Sequence, residues 1–211
     1  MGKISFATIR RLSRYYRSLG YAEERQVVTM SSEELAQRIQ LTAAQVRKDL
    51  SFFGAFGRRG LGYNVTDLRN NIGKILGLNR TWNVAIAGAG NIGRALINFD
   101  QFIKQGFLIK SVFDNDPDKI GRTLGEIEVS DMANIKEVVH ANEIDIAVIC
   151  VPAHVAQKVV NSFVDPDVGI TAILNFAPIS ISVPEGVHIR NENIAIDIEA
   201  LSFALTNPNL I

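Results

Sequence analysis

The feature that most constrains this chain is a strand, a glycine-rich turn, a helix and a second strand within residues 82–114. The apolar run Val84–Ala87 is typical of a buried parallel strand. Gly88, Gly90 and Gly93 follow it at G-x-G-x-x-G spacing. In that pattern the first glycine permits a tight turn, the second lets backbone approach a pyrophosphate, and the third lets the next helix pack closely. The pattern predicts a nucleotide-binding turn.

The residues after the turn strengthen this interpretation. Asn91–Gln105 carries apolar side chains at three- to four-residue spacing, which predicts a helix whose N-terminus faces the phosphates. A second strand, Phe107–Phe113, runs into Asp114, about 20 residues past the last glycine, where a carboxylate accepts hydrogen bonds from an adenosine ribose. Because that carboxylate would repel a 2′-phosphate, the sequence favours NAD(H) over NADP(H).

Strands and helices continue to alternate to the end of the chain, which predicts an α/β fold with a mostly parallel sheet covered on both faces. The terminal helix is apolar for its size, and it either packs on its own domain or docks on a partner subunit. The further predicted strands are Ile144–Val151, Gly169–Leu174, Val187–Ile189 and Ile194–Ile196, and the terminal helix is Ile198–Leu205.

Ligands of such sheets bind at the carboxyl ends of the strands. This rule brings the glycine turn, the acid after the second strand and the V-P and N-F turns after two later strands around one crevice. The predicted cofactor-binding residues are Gly88, Ala89, Gly90, Asn91, Ile92, Gly93, Asp114, Val151, Pro152, Asn175 and Phe176.

The charge of the chain is unevenly distributed, although 22 basic and 22 acidic residues cancel overall. Residues 1–80 hold 14 Lys and Arg against 6 Asp and Glu, whereas residues 81–211 hold 8 against 16. A basic half beside an acidic half indicates a polyanionic partner for the basic half.

Two helices open the basic half. The first is predicted over Phe6–Leu19, with Gly20 ending it. A short extended segment follows, and Ser31 with Glu34 then matches a capping box that opens the second helix.

A third helix follows after a very short connection. Thr42 with Gln45 matches a second capping box and predicts a helix over Ala43–Phe53. Two short helices joined by a tight turn indicate a helix-turn-helix, whose second helix enters the major groove. The exposed positions predicted to contact DNA are Gln45, Arg47, Lys48 and Ser51. Arg and Lys can contact guanine edges or phosphates and Gln can contact adenine, and the sequence does not assign these contacts.

The segment Gly54–Tyr63 has four glycines and two adjacent arginines, which suits a β-hairpin wing along the duplex. Arg58, Arg59 and Gly60 are its predicted DNA contacts. A helix over Val65–Leu76, capped by Asn64 or Thr66, closes a winged helix-turn-helix domain. The predicted domains are 1–80 for DNA binding, 81–196 of Rossmann type for NAD(H), and 197–211 as the terminal helix, with a linker at Leu78–Thr81.

Several other classes of protein are disfavoured. The single cysteine, Cys150, suits a buried position in a reducing cytoplasm, and no Cys/His cluster has metal-ligand spacing. The longest apolar stretches are far shorter than the ~20 residues that span a bilayer, and the basic N-terminus has no secretory core. We therefore expect a cytoplasmic protein without a membrane partner or a metal site.

The whole chain resembles the Rex family of redox-sensing transcriptional repressors. The resemblance rests on S-S-E-E-L-A, Q-V-R-K-D-L-S-F-F-G, R-R-G-L-G-Y-N-V, G-A-G-N-I-G, F-D-N-D-P-D-K-I-G and I-L-N-F-A-P, in the family's order. It implies a homodimer with a domain-swapped terminal helix, which binds palindromic operator DNA when NADH is low and is released when NADH binds. NADH and NAD⁺ would act as effectors, with no catalytic residue.

The resemblance also shows departures near the nicotinamide. A tyrosine carried there by many family members is Phe99 here, and its aspartate partner falls on Asn193 without a gap or on Asp197 with one. One alternative is an NAD-dependent oxidoreductase with an N-terminal DNA-binding domain, for which His154 is the candidate acid or base. Another is a CoA- or nucleotide-binding module on the same fold.

Overall fold

The computed structural model describes residues 4–57, 60–208 and 210. The chain divides into two compact units, Met1–Arg80 and Thr81–Ile211. The predicted wing contacts Arg58 and Arg59 lie outside the described residues.

The first unit is mainly helical, with one small antiparallel sheet in which Thr29 lies opposite Asn64. Its core is formed by buried side chains from all four helices, among them Tyr15, Val46 and Ile72. The elements are α1 (Phe6–Glu24), β1 (Thr29–Met30), α2 (Ser32–Arg38), α3 (Ala43–Ser51), β2 (Tyr63–Asn64) and α4 (Val65–Ile75).

Helix α1 is longer than predicted. It passes through Gly20 and ends at Glu24, and the backbone turns away at Gln26 with φ +59°. The expected stop at Gly20 was wrong because Leu19 and Ala22, on either side of it, are fully buried in the core. Packing of an apolar face outweighs the ~1 kcal/mol helix penalty of one glycine.

The capping predictions have different outcomes. The box at Ser31 is confirmed, since Ser31 Oγ accepts from the Glu34 N–H at 3.1 Å and Glu34 Oε2 accepts from the Ser31 N–H at 2.7 Å. Thr42 caps α3 by accepting from the Gln45 N–H at 3.2 Å. The reciprocal half of that second box is wrong, because the Gln45 side chain bonds to Asp49 instead. Asn64, not Thr66, caps α4.

The wing differs from the predicted self-contained hairpin. Residues 54–57 form no strand, and β2 pairs with β1. Gly62, at φ +75°, lies so close to β1 that a Cβ there would be 2.6 Å from the Met30 carbonyl oxygen. Strand β2, which follows the wing segment, therefore pairs with β1, the strand before α2.

The second unit is a doubly wound sheet of order β5-β6-β4-β3-β7-β8-β9, parallel except for β5. The α/β class and the parallel sheet are confirmed. The elements are β3 (Trp82–Ala87), α5 (Asn91–Ile97), α6 (Gln101–Lys104), β4 (Phe107–Asp114), β5 (Thr123–Leu124), β6 (Ile127–Asp131), α7 (Ile135–Ala141), β7 (Ile146–Ile149), α8 (Ala153–Val164), β8 (Ala172–Asn175), β9 (His188–Asn191) and α9 (Ile194–Thr206).

Each face of this sheet has its own apolar core. On one face α7 and α8 cover the strands, and Phe113 packs edge-on against Phe163 with ring centroids 5.8 Å apart. On the other face Val84, Ile86 and Val148 pack against residues of α5 and the neighbouring strands. Because β3, β4, β7 and β8 run parallel, their carboxyl ends lie at one edge of the sheet.

The helix predicted over Asn91–Gln105 is broken into α5 and α6. The Asn98 Nδ2 amide donates to the Arg94 carbonyl at 3.0 Å, and the Asn98 N–H also bonds back to Arg94. A side chain that satisfies a terminal carbonyl favours a helix end over a continued turn. The apolar spacing continues through the break, so the pattern alone did not show it.

The strand predicted at Ile194–Ile196 is wrong, because these residues form the first turn of α9. Asn193 begins that helix, since its Oδ1 accepts from the Ala195 N–H at 3.1 Å. The terminal helix therefore starts before the predicted boundary at residue 197. No residue of α9 is buried within the chain, so the helix adds no buried side chain to the core of the second unit.

Candidate functional sites

The carboxylate at the end of β4 is the best-organised group of the second unit. Asp114 is 8 % exposed, and its oxygens accept from the N–H groups of Ala89, Asn115 and Asp116 at 2.9 to 3.0 Å. Lys119 Nζ lies 3.1 Å from Asp114 Oδ2. Burial alone would raise the pKa of Asp114, but these hydrogen bonds outweigh burial and hold the pKa below its usual value. Asp114 is therefore a charged acceptor tied directly to the glycine turn.

The three glycines of the turn differ in their surroundings. Gly88 has φ +105°, and a Cβ there would lie 2.6 Å from the Cys150 carbonyl oxygen. A Cβ on Gly93 would lie 2.0 Å from the Gly88 carbonyl oxygen, so α5 packs directly on the turn. Around Gly90 nothing lies within 4 Å of such a Cβ. The first and third glycines thus shape the turn, and the second leaves its backbone open.

A cleft of about 740 Å³ opens at this edge of the sheet. This volume suits a small-molecule or cofactor site. Ala89, Gly93 and Asn175 do not line it and are buried behind it. The predicted cofactor residues that do line the cleft are Gly88, Gly90, Asn91, Ile92, Asp114, Val151, Pro152 and Phe176.

Asn175 supports the cleft wall from behind. Its Nδ2 donates to the carbonyls of Ala177 and Ile179 and to Asn191 Oδ1, and its Oδ1 accepts from the Ala177 N–H. The bonds hold the turn that places Phe176 at the cleft.

Sequence reasoning missed one wall of the cleft. Val155, Lys158, Val159 and Ser162 line it from one side of α8. The valines have the spacing of a core face, so the sequence pattern alone does not mark them as cleft residues. Lys119 was also missed as a cleft residue.

The predicted DNA-contact residues of α3 are in reach of solvent but not all are free. Lys48 and Ser51 are exposed, and Ser51 Oγ donates to the Lys48 carbonyl at 2.7 Å. Arg47 Nη1 donates to Ser32 Oγ at 2.8 Å and to Glu33 Oε1 at 3.0 Å. This exposed pair is readily exchanged for a phosphate, because surface ion pairs contribute little stability.

A buried ionic cluster holds α3 against α1. Asp49 is fully buried, and it accepts two hydrogen bonds from Arg11 at 2.6 and 2.7 Å and one from the Tyr15 hydroxyl at 2.8 Å. Gln45 Nε2 adds a fourth at 2.8 Å. Burial would raise the pKa of Asp49, but the bonds from Arg11, Tyr15 and Gln45 outweigh it, so the pKa is lowered. Sequence reasoning did not single out this aspartate.

A groove of about 680 Å³ adjoins α3 and is lined by Arg47, Ser51 and Gly60 together with the start of α2. Gly60 is exposed, at φ +80°. These three predicted DNA-contact residues thus share one surface, and Arg58 and Arg59 fall outside the described part.

Within the described part of the chain, no group of His, Cys, Asp and Glu side chains could hold a metal ion. No helix described there is long and apolar enough to cross a membrane. His154 is exposed in the first turn of α8 and is not among the residues lining the cleft.

Comparison with known proteins gives two family-model matches. A model described as "CoA binding domain" matches residues 79–179, and one described as "Putative DNA-binding protein N-terminus" matches residues 3–51. A curated relative from Desulfitobacterium hafniense, named redox-sensing transcriptional repressor Rex, is 46 % identical over 201 residues, which is 95 % of both chains.

Solved structures are similar over the full chain. RSP in complex with β-NAD⁺ and operator DNA matches with a TM-score of 0.93 and 40 % identity, covering 100 % of this chain and 96 % of that one. RSP in complex with β-NADH matches with a TM-score of 0.88 and 38 % identity, covering 100 % and 98 %.

Proposed function

Because the chain belongs to the Rex family of redox-sensing transcriptional repressors, we propose that the ligand bound in its cleft determines whether its basic unit remains bound to DNA. The protein binds operator DNA when NADH is scarce, and NADH bound in the cleft releases it. NADH and NAD⁺ are effectors here, and no redox step is involved. The relatives solved with NAD⁺ and operator, and with NADH, support this assignment.

The observation that carries the proposal is the position of Asp114. Its carboxylate lies at the carboxyl end of β4, bonded to Ala89 of the glycine turn, where an adenosine ribose would donate to it. Gly90 leaves the backbone open to a pyrophosphate. The V-P turn at Val151 and the N-F turn at Phe176 line the same cleft and would face the nicotinamide end.

On the DNA side, α3 is the recognition helix of a winged helix-turn-helix domain. Lys48 and Ser51 are exposed and would contact the duplex directly, and Arg47 would do so after leaving Glu33. Arg58, Arg59 and Gly60 would contact it from the wing. A palindromic operator requires two such helices about one helical turn apart, and so a homodimer.

Helix α9 is the part of the chain best suited to form that dimer. Leu201, Phe203 and Leu205 are 51 to 85 % exposed, and no residue of the helix is buried. An exposed apolar helix of this kind marks a protein interface. We assign it to the partner subunit, in the domain-swapped manner the family resemblance implies, and we place the dimer in the cytoplasm.

Two other functions are less well supported. An oxidoreductase needs an acid or base beside the nicotinamide, and His154 is not among the residues lining the cleft. A CoA-binding module agrees with the description of one family model. Asp114 favours a dinucleotide over CoA, because its carboxylate would repel a phosphate on the adenosine ribose.

The test is a titration of fluorescent operator DNA, obtained by selection from random duplexes, against NADH at fixed NAD⁺. We expect NADH to release the DNA, while CoA and NADPH at the same concentrations leave it bound. Operator that stays bound at saturating NADH would refute the proposal, and release by CoA instead would favour the CoA-binding function.

A further inference from the structure

One buried side chain, Asn175, contacts both a wall of the cleft and the segment that leads to α9. Asn175 ends β8, and Phe176 and Pro178, which line the cleft, follow it in the chain. Its Nδ2 also donates to Asn191 Oδ1 at the end of β9, just before Asn193, the cap of α9. The cleft and the start of α9 are therefore joined through one amide.

The amide of Asn175 has more acceptors than donors. Its Nδ2 lies 3.1 Å from the Ala177 carbonyl oxygen, 3.0 Å from the Ile179 carbonyl oxygen and 2.9 Å from Asn191 Oδ1. An NH₂ group carries two N–H donors, so three acceptors share them. The three bonds cannot all have full strength at once, and a shift of the turn at 176–179 redistributes the donors among them.

Asn191 is the acceptor that is released most easily. Asn175 and Ala177 are buried, and the Ala177 N–H donates to Asn175 Oδ1 at 2.9 Å, which ties the turn to this side chain a second time. Asn191 is exposed, so water can replace its bond to Asn175 when that bond breaks. The Glu192 N–H donates to the Asn175 carbonyl at 2.8 Å, so β9 remains attached to β8 through its backbone.

We propose that the hydrogen bond between Asn175 and Asn191 couples the cleft to α9. The bond belongs to the arrangement that binds operator DNA. NADH held against Phe176 and Pro178 draws the turn onto the Asn175 amide, and the two carbonyls of the turn take both N–H groups. Asn191 then loses its donor, and the residues that begin α9 become free to move. Asn175 and Asn191 act as positioning residues.

This inference rests on the proposed function, since it assumes that NADH occupies the cleft and releases operator. The two can fail separately. If NADH binds but does not release operator, the proposed function fails, and NADH affinity and hydrogen exchange still decide whether the bond responds to NADH. If release is normal and indifferent to Asn191, the inference alone is overturned.

The first experiment compares two substitutions of Asn191 in the full chain by calorimetric titration with NADH and by the NADH concentration that half-releases operator. Asn191→Ala removes the acceptor, so it should bind NADH about 2- to 10-fold more tightly and release operator at lower NADH, the effect of one hydrogen bond. Asn191→Asp, whose carboxylate accepts more strongly, should shift both quantities in the opposite direction. Damage to the fold would not tighten NADH binding.

Asn161 on α8 provides matched controls. It is exposed, its Oδ1 accepts from Gln157 Nε2 at 2.8 Å, and it is not among the residues lining the cleft. Asn161→Ala removes a comparable acceptor and Asn161→Asp adds a comparable charge, and both should behave as the wild type. Opposite shifts in the two Asn191 variants alone support the inference; any other pattern, including equal shifts in the Asn161 variants, overturns it.

Hydrogen–deuterium exchange tests the bond's response in the wild-type protein. The Glu192 and Ala195 N–H groups bond to the Asn175 carbonyl and to Asn193 Oδ1, so they report on the start of α9. Saturating NADH, without operator, should speed exchange in the peptide covering residues 191–197. Cofactor-free Asn191→Ala should already exchange faster there than the cofactor-free wild type. Unchanged or slower exchange of this peptide on adding NADH to the wild type would overturn the inference.

Discussion

At the scale of single residues, we expect Asp114 and Lys119 together to set the choice of dinucleotide. The lysine lies 3.1 Å from the carboxylate that would repel a 2′-phosphate. Asp114→Ala removes the repulsion and leaves a cation beside the ribose, so we expect the preference for NADH over NADPH to fall at least about tenfold, ~1.4 kcal/mol. Isothermal titration calorimetry with both cofactors measures this.

Two controls accompany that variant. The double variant Asp114→Ala/Lys119→Met should lose the gain in NADPH affinity, because no cation then replaces the carboxylate. Operator binding by the cofactor-free Asp114→Ala protein should match the wild type, since Asp114 lies outside the basic unit. An unchanged ratio of NADH to NADPH affinity would show that another group sets the selectivity.

Cys150 gives a residue-scale prediction about pH. Burial raises the pKa of its thiol to about 12 from an ordinary value near 9. Since the thiolate is the reactive form, iodoacetamide at pH 8 should alkylate the folded protein on the order of a thousandfold more slowly than the urea-unfolded chain. Mass spectrometry follows the reaction at this single cysteine. Equal rates in both states would show that the thiol is not desolvated.

Residues of the two sites were not equally predictable. The glycines and Asp114 are recognisable in sequence because one local turn imposes their spacing. Asp49 meets Arg11 across 38 positions, and only the packing of α1 on α3 brings them together. Lys119 resembles any loop lysine until the geometry places it on Asp114. Residues that pair with a buried charge from a distant part of the chain have no fixed separation in sequence, so no motif identifies them.

At the scale of elements, features set by a local sequence pattern were predicted, and features set by a single side-chain contact or by packing were not. The parallel sheet followed from the alternation of strands and helices, and the cap at Ser31 followed from its motif. The break at Asn98 and the helical turn at Ile194 were missed, because in each case one asparagine side chain decides against a continuing apolar pattern. Gly20 is the opposite case: it favours a helix end, but the packing of the apolar face keeps α1 helical through it.

Helix α3 provides a prediction about phosphate contact. Lys48 is exposed on the helix, and removing a phosphate contact should weaken operator binding and lower the slope of log K against log salt by about 1. Lys48→Ala should therefore lose about tenfold in affinity at low salt, with NADH binding unchanged. Lys74→Ala, an exposed basic residue of α4, is the control. Wild-type affinity and slope in Lys48→Ala would refute the assignment of α3.

Helix α9 provides a prediction about assembly. Leu201 and Leu205 are 66 % and 85 % exposed, so most of their apolar surface is not buried within the chain. The double variant Leu201→Glu/Leu205→Glu should dissociate the dimer in sedimentation velocity and lose affinity for the full operator. Val28→Glu, a charge at another exposed apolar residue, should stay dimeric. A variant that remains dimeric would exclude α9 as the interface.

At the scale of the whole molecule, the two units have opposite net charge. We assign a polyanion to the basic unit and the dinucleotide to the acidic unit. A ligand shifts an equilibrium only by its differential affinity for the two states. NADH must therefore bind the arrangement that cannot span two half-sites more tightly than the arrangement that can.

Thermodynamic linkage means that the same coupling can be measured as the effect of operator DNA on NADH affinity. If NADH lowers operator affinity by some factor, saturating operator must lower NADH affinity by the same factor. We expect both factors to agree and to lie between about 5 and 150, the usual range of coupling. Calorimetric titration of NADH, with and without operator, gives one factor, and the shift of operator affinity with NADH gives the other. A scrambled duplex should leave NADH affinity higher than the operator does. Equal NADH affinity with and without operator would mean that the cleft and the recognition helices act independently.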